Sequence, residues 1–181
     1  SAAVLRHFVA DPLLPRELLP RRWPGDALRA DYDRYDAAYR GVLGSMQEQV
    51  EKVQKAATGE EESRYSQFTL ADMRSNLEGA RTTYLAFRSW ALSKSATAED
   101  TRIQAAFSEL DAEYAKNSGD AIPTVPATWS NVNPSMADLA TPFGRLFTAV
   151  QRAADDKTSG SLAAEMTMAG DKMGIPQLPA N

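Results

Sequence analysis

The sequence predicts an all-α protein, an antiparallel bundle of about five helices preceded by a proline-rich arm. Three observations carry that prediction. Apolar residues recur at steps of three and four over most of the chain, the spacing that lines one face of a helix, and almost nowhere alternate as a strand requires. Prolines crowd the start at Pro12, Pro15, Pro20 and Pro24 and are then absent from Gly25 to Ile122, which leaves a long stretch free for helices. The segments between the periodic stretches are mostly four to fifteen residues long, the connection length of antiparallel neighbours.

The elements follow in order. Residues 1–25 form the arm, and 26–181 the bundle. After Pro24-Gly25, Asp26 is placed to cap a helix with the stripe Leu28, Tyr32, Tyr35, Tyr39, Val42, Met46, Val50, Val53 and Ala57, with Gly41 and Gly44 as the place for any kink. The run Thr58-Gly59-Glu60-Glu61-Glu62-Ser63 ends it as an acidic loop. Thr69, with Asp72 three residues on, caps a second helix over about 70–93 that buries Leu70, Met73, Leu77, Ala80, Tyr84, Phe87 and Ala91. Thr97 opens a third over about 98–117, with acids in its first turn and Ile103, Phe107, Leu110 and Tyr114 inward. The aperiodic segment from Asp120 to Pro134 is too apolar for a flexible linker, so Ile122, Val125 and Trp129 are expected to cover a bundle end. A fourth helix from Ser135 carries Met136 to Val150 with a kink at Pro142. A fifth, about 161–173, closes at Gly174 and Pro176.

Composition bounds the function. With 43% hydrophobic and 24% charged residues the chain has the makeup of a folding globular protein, and 181 residues suffice for a core that needs no staple. Cysteine is absent, which removes disulfides, thiolate metal sites and cysteine nucleophiles together. The net charge of −4 supplies no basic face for phosphates, so nucleic acid is not an expected partner. No apolar run approaches the roughly 20 residues that span a bilayer, and the first residues lack the basic-then-apolar order of an export signal.

Charge is unevenly distributed. Residues 1–45 hold seven Arg, no Lys and six acids, while 46–181 hold seven Arg, six Lys and eighteen acids. Gly44-Ser45-Met46 lies at that seam and reads as either a natural junction or an engineered one.

Few residues offer chemistry. His7 is the single histidine and has no acid or serine near it in sequence to form a triad. Glu109 and Glu113 are four apart on one helix face, the spacing of a metal-ligand pair and equally of a solvated charged face. The run Glu60-Glu61-Glu62 is expected to face solvent. Tyr32, Tyr35 and Tyr39 form an aromatic stripe between charges that serves either a core or a partner, since tyrosine gives large contact area with few torsions. There is no glycine-rich phosphate loop, no Gly-x-Ser-x-Gly and no His-Glu-x-x-His.

Two resemblances lie on either side of the seam. The phrase from Ser66 to Gly79, then Pro142-Phe143-Gly144-Arg145-Leu146-Phe147, Gly160-Ser161-Leu162 and Met173-Gly174-Ile175-Pro176, resembles the C-terminal half of the imelysin-like family over roughly 60–181. That resemblance implies helical bundles, a periplasmic or outer-membrane setting and a link to iron uptake. The family's signature Gly-x-His-x-x-Glu has no counterpart here, so none of its metal ligands carries over. The phrase from Phe8 to Gly25 resembles the C-terminal tail of PaaX-type phenylacetate repressors over about 4–43, and the pairing of the two implies a chimaera, a designed sequence or a regulator fragment.

The expected function is therefore a non-enzymatic module that binds another protein through Trp23, Tyr32, Tyr35, Tyr39 and the loop around Trp129. The alternatives are an iron-linked envelope protein using carboxylates such as Glu109 and Glu113, and a fragment of a transcriptional regulator. No cofactor is expected, iron being possible on the resemblance alone. The compartment follows the family if the imelysin resemblance decides, and is otherwise the cytoplasm.

Overall fold

The structure is a computed structural model that describes residues 25–60 and 67–175, with the backbone alone for residues 25–29 and 32. It is all-helical over these residues. The helices are α1 (Gly25–Thr58), α2 (Thr69–Ser93), α3 (Thr97–Ala115), α4 (Met136–Leu139), α5 (Pro142–Ala154) and α6 (Leu162–Met173). The arm before Gly25, with Trp23, and the glutamates Glu61 and Glu62 lie outside the described residues.

α1 runs without a break through Gly41, Gly44 and Met46, 34 residues or about 51 Å at 1.5 Å per residue. Its described side chains from Ala30 to Ala38 are mostly exposed, and the first buried one among the described side chains is Tyr39. From there the stripe enters the core at Val42, Met46, Gln49 and Val53. α2 runs antiparallel to α1: Gln49 donates to the Met73 carbonyl at 3.3 Å near one end, and the Tyr39 ring meets Phe87 edge-on at 5.2 Å near the other. α3 folds back on α2 after a three-residue turn in which Ser95 takes φ 62°, the left-handed conformation that lets Ala96 N–H reach the Ala91 carbonyl at 3.1 Å. α6 packs along α3, and α5 lies against α1 and α3, closing one core around Leu70, Tyr84, Phe107, Phe143, Leu146 and Met166.

Two local expectations change. Thr69 does not cap α2: it is the first helical residue, and the free Leu70 and Ala71 N–H groups donate instead to the Asp120 carbonyl at 2.8 and 3.1 Å. The crossing loop thus caps a helix 50 residues earlier. Pro142 does not kink a fourth helix but starts α5, while α4 is a single turn. The break falls at Ala140-Thr141, because the Thr141 hydroxyl accepts the Gly144 N–H at 3.1 Å and proline fits the first helical turn, where its missing N–H is not needed.

Candidate functional site

The groove along the bundle begins where α1 crosses α6. Gly170 has no side chain, and a Cβ there would come within 3.1 Å of the Tyr39 ring, so the two helices approach closely. The Tyr39 hydroxyl donates to the Met166 carbonyl at 2.6 Å, and burial first, then the charges of Tyr84 and Asp171, raises its pKa. Beside this contact lies a cleft of about 350 Å³ whose floor is largely apolar, with Leu43, Ala163 and Ile175 among its walls. Gln47, Ala154 and Asp156 also line a second, more open trough of about 730 Å³ that runs on to Val132, Pro134, Leu139 and Phe147. Gln47 donates to the Ala154 carbonyl at 3.0 Å, so the saddle between the basins is tied to the end of α5.

The loop that walls the trough is braced from beneath. The Trp129 indole stands edge-on to Phe143 and Phe147 at 4.7 and 4.8 Å, and its N–H donates to Asn131, which in turn donates to the Gln54 carbonyl of α1. The Asp138 carboxylate accepts from Thr128 at 2.6 Å and from Ser135 at 2.7 Å, and these bonds, Thr128 first, hold its pKa below the usual carboxylate range. A Cβ at Gly144 would meet the Asp138 carbonyl oxygen and the Leu139 backbone, so α5 approaches this turn closely. Over it, Val132 on the loop and Met136 at the start of α4 are 95% and 83% exposed, two large apolar side chains on an anchored segment.

A second cluster ties α2, α3 and α6. Asp100, almost wholly buried, accepts from Arg88 Nε and Nη2 at 2.8 and 3.0 Å and from the Tyr84 hydroxyl at 3.1 Å. The Arg88 bond in particular lowers the Asp100 pKa, while burial and the Asp100 charge raise that of Tyr84. Glu165, fully buried, sits 2.7 Å from Arg102 and accepts the Gly160 N–H at 2.8 Å. Lys172 bonds Glu99 at 2.7 Å and lowers its pKa. Each of these carboxylates faces a cation from another helix or its own.

The residues singled out in the sequence are scattered by this fold. Tyr39 is core, 1% exposed, and not open to a partner, because the stripe turns inward at that residue. Tyr35, one turn earlier, is 59% exposed and leans edge-on against Phe87 at 6.1 Å. The side chain of Tyr32 and all of Trp23 lie outside the described residues. Trp129 is half-buried and works as the brace of its loop; the exposed apolar residues there are Val132, which sequence reasoning missed, and Met136, which it placed in the apolar stripe of the fourth helix and which instead faces solvent at the start of the single turn α4. Their signal was available, since both lie in or beside a proline-bounded apolar loop. Glu109 is exposed and 3.9 Å from Arg152, while Glu113 is buried, bonded to Lys116 at 2.6 Å and 3.8 Å from Arg145. Both line a pocket of about 190 Å³. Among the described residues no group of three or more His, Asp or Glu is placed to hold a metal, and no described helix is long and apolar enough to cross a membrane.

Comparison with known families finds a match to the imelysin family over residues 19–165. It starts well before residue 60 and runs through 44–46, as α1 does, so neither a PaaX-type tail nor a joining of two pieces is supported. No curated protein and no solved structure matches. The family model carries a peptidase label, and it spans more than four-fifths of this all-helical chain: the chain belongs to the imelysin family.

Proposed function

We propose that the chain is a non-catalytic binding domain of the imelysin family whose ligand is an extended segment of another protein, held in the trough beside the Trp129 loop. The observation that carries this reading is the exposure of Val132 and Met136, at the end of the loop and the start of α4, on a segment braced by Trp129, Asn131 and Asp138. Exposed apolar side chains on a pre-ordered loop cost solvation without an entropic excuse, and a partner that covers them recovers it. Val132 lines the trough together with Leu139 and Phe147. Tyr35 offers a further exposed contact on α1. A periplasmic or extracellular setting accords with the family.

The test is capture of a protein partner by the purified chain, with and without chelator, repeated with Val132→Ser/Met136→Ser and with Tyr35→Ala. Loss of the captured protein in the loop variant, with helicity intact and with capture resistant to chelator, is the expected result. Capture that persists in the loop variant removes the trough from consideration. The iron-linked alternative rests on Glu109 and Glu113, and each already faces a cation that a metal would have to displace. It predicts a rise in thermal stability with Fe or Zn that Glu109→Ala/Glu113→Ala abolishes. Our reading expects no such rise.

A further inference from the structure

We propose that the cleft between α1 and α6 is a docking site for the chain's own segment 176–181, which straps α6 to α1. The segment starts at the cleft itself. α6 ends at Gly174, which takes φ 79°, and the turn is closed by the Gly174 N–H to the Asp171 carbonyl at 3.0 Å and the Ile175 N–H to the Gly170 carbonyl at 2.9 Å. That reversal leaves Ile175 only 6% exposed and makes it a wall of the cleft. The chain therefore reaches residue 176 from the rim of the cleft, at the end where Tyr39 meets Gly170.

Length and chemistry both fit. The cleft follows α1 from Tyr39 to Gln47, about 12 Å at 1.5 Å per residue, and six residues of extended chain reach about 20 Å at roughly 3.3 Å each. The order Pro-Gln-Leu-Pro-Ala-Asn carries no charged side chain, and the cleft asks for none. Arg40 directs its Nε to Asp36 at 2.9 Å, Asp171 has an interaction of its own, and Asp156 is exposed to water at the far end. What the cleft offers is carbon, from Tyr39, Leu43, Ala163 and Ile175, and Leu178 with two proline rings supplies the matching apolar surface. Pro176 and Pro179 also remove two backbone N–H groups that such walls could not satisfy, and they lower the entropy lost when the segment is fixed. The lining side chains of Thr167 and Gln47 carry oxygens that can accept the N–H groups that remain.

This inference stands apart from the trough reading, which depends on Val132 and Met136, whereas the strap depends on Leu178 and the cleft walls. The chain has no cysteine, so Ala180→Cys in the full chain takes a single nitroxide label, whose broadening of amide signals is read against the reduced label. The amides of Gln47 and Ala154, at the far end of the cleft, are expected to lose most of their intensity. Leu178→Arg, outside the helices, should cut the docked population about tenfold or more, as loss of a buried leucine implies, and so restore those signals. Gly44→Leu, at a position where an added Cβ meets nothing within 4 Å, fills the cleft from α1 and should release the segment in the same way with helicity intact. In a mixture of nitroxide-labelled chain with isotope-labelled chain that lacks the nitroxide, the same amides should keep their intensity, because the strap is intramolecular. Cleft signals that never lose intensity, a loss that persists in either variant, or a loss that passes to the second copy in the mixture overturns the proposal.

Discussion

Replacing Gly144 by alanine tests whether the contact between α5 and the Asp138 turn is as tight as it looks. A Cβ at Gly144 would sit 2.2 Å from the Asp138 carbonyl oxygen, 2.5 Å from Leu139 Cα and 2.8 Å from Leu139 C. All three obstacles are backbone, so no rotamer relieves the clash, and α4 must move away by about 1 Å to restore ordinary contact distances of about 3.5 Å. That movement pulls on the Ser135 cap and on the carboxylate that holds Thr128. Overpacking of this kind costs about 1–3 kcal/mol, and the rigid obstacle places it at the upper end. Alanine returns about 1 kcal/mol of helix propensity, which leaves a net loss of about 2 kcal/mol. For a chain of this size the midpoint of thermal unfolding, followed by circular dichroism, should fall by about 4–8 °C. Gly79→Ala is the control, since Gly79 lies in the exposed middle of α2 with nothing within 4 Å of an added Cβ. It should gain about 0.5–1 kcal/mol from propensity alone. A Gly144→Ala protein as stable as Gly79→Ala would refute the close contact.

Other outcomes follow from the same structure. Tyr39→Phe removes one hydrogen bond from a buried hydroxyl to the Met166 carbonyl and should cost about 1 kcal/mol in urea unfolding with the m-value unchanged. Asp100 and Glu99 have folded pKa values below their unfolded ones, so the stability they contribute is present above about pH 4 and is lost as pH falls through the depressed folded values. Asp100→Asn should therefore flatten the acid limb of the stability profile by about one proton, and an unchanged slope would remove Asp100 from the acid response. Gly41→Ala should raise the unfolding midpoint by about 1–4 °C, since α1 is straight helix there with open space at the Cβ position.

The helices themselves were legible because their information is local. Apolar residues three and four apart, a proline-free stretch and a glycine after the last periodic residue are all read within a few positions. They placed α2 and α6 to within a residue or two, and Gly174 takes the left-handed conformation that ends α6. Where a cap or break depended on a distant partner, local reading failed. Thr69 has the residue type and spacing of a cap, yet Asp120 from the crossing loop takes that place, and Pro142 looks like a kink until Thr141 is seen capping the helix that starts there.

The candidate site was less legible for the same reason carried further. Spacing alone identified Tyr35 and Tyr39 as one stripe, but only the position of α6 decides that Tyr39 is core while Tyr35 is open. Glu109 and Glu113 share a helix face by arithmetic, and it is Arg152 on α5 and Lys116 one turn on that settle what each faces. The sequence by itself determined the all-helical class, the boundaries of the long helices and most of the apolar stripe. The tertiary structure alone decided which parts of that stripe stay exposed, which carboxylates are paired, and where Gly44 and Gly170 open a cleft. Helix formation is governed by neighbours within four residues, whereas burial and charge pairing depend on contacts between residues far apart in the chain.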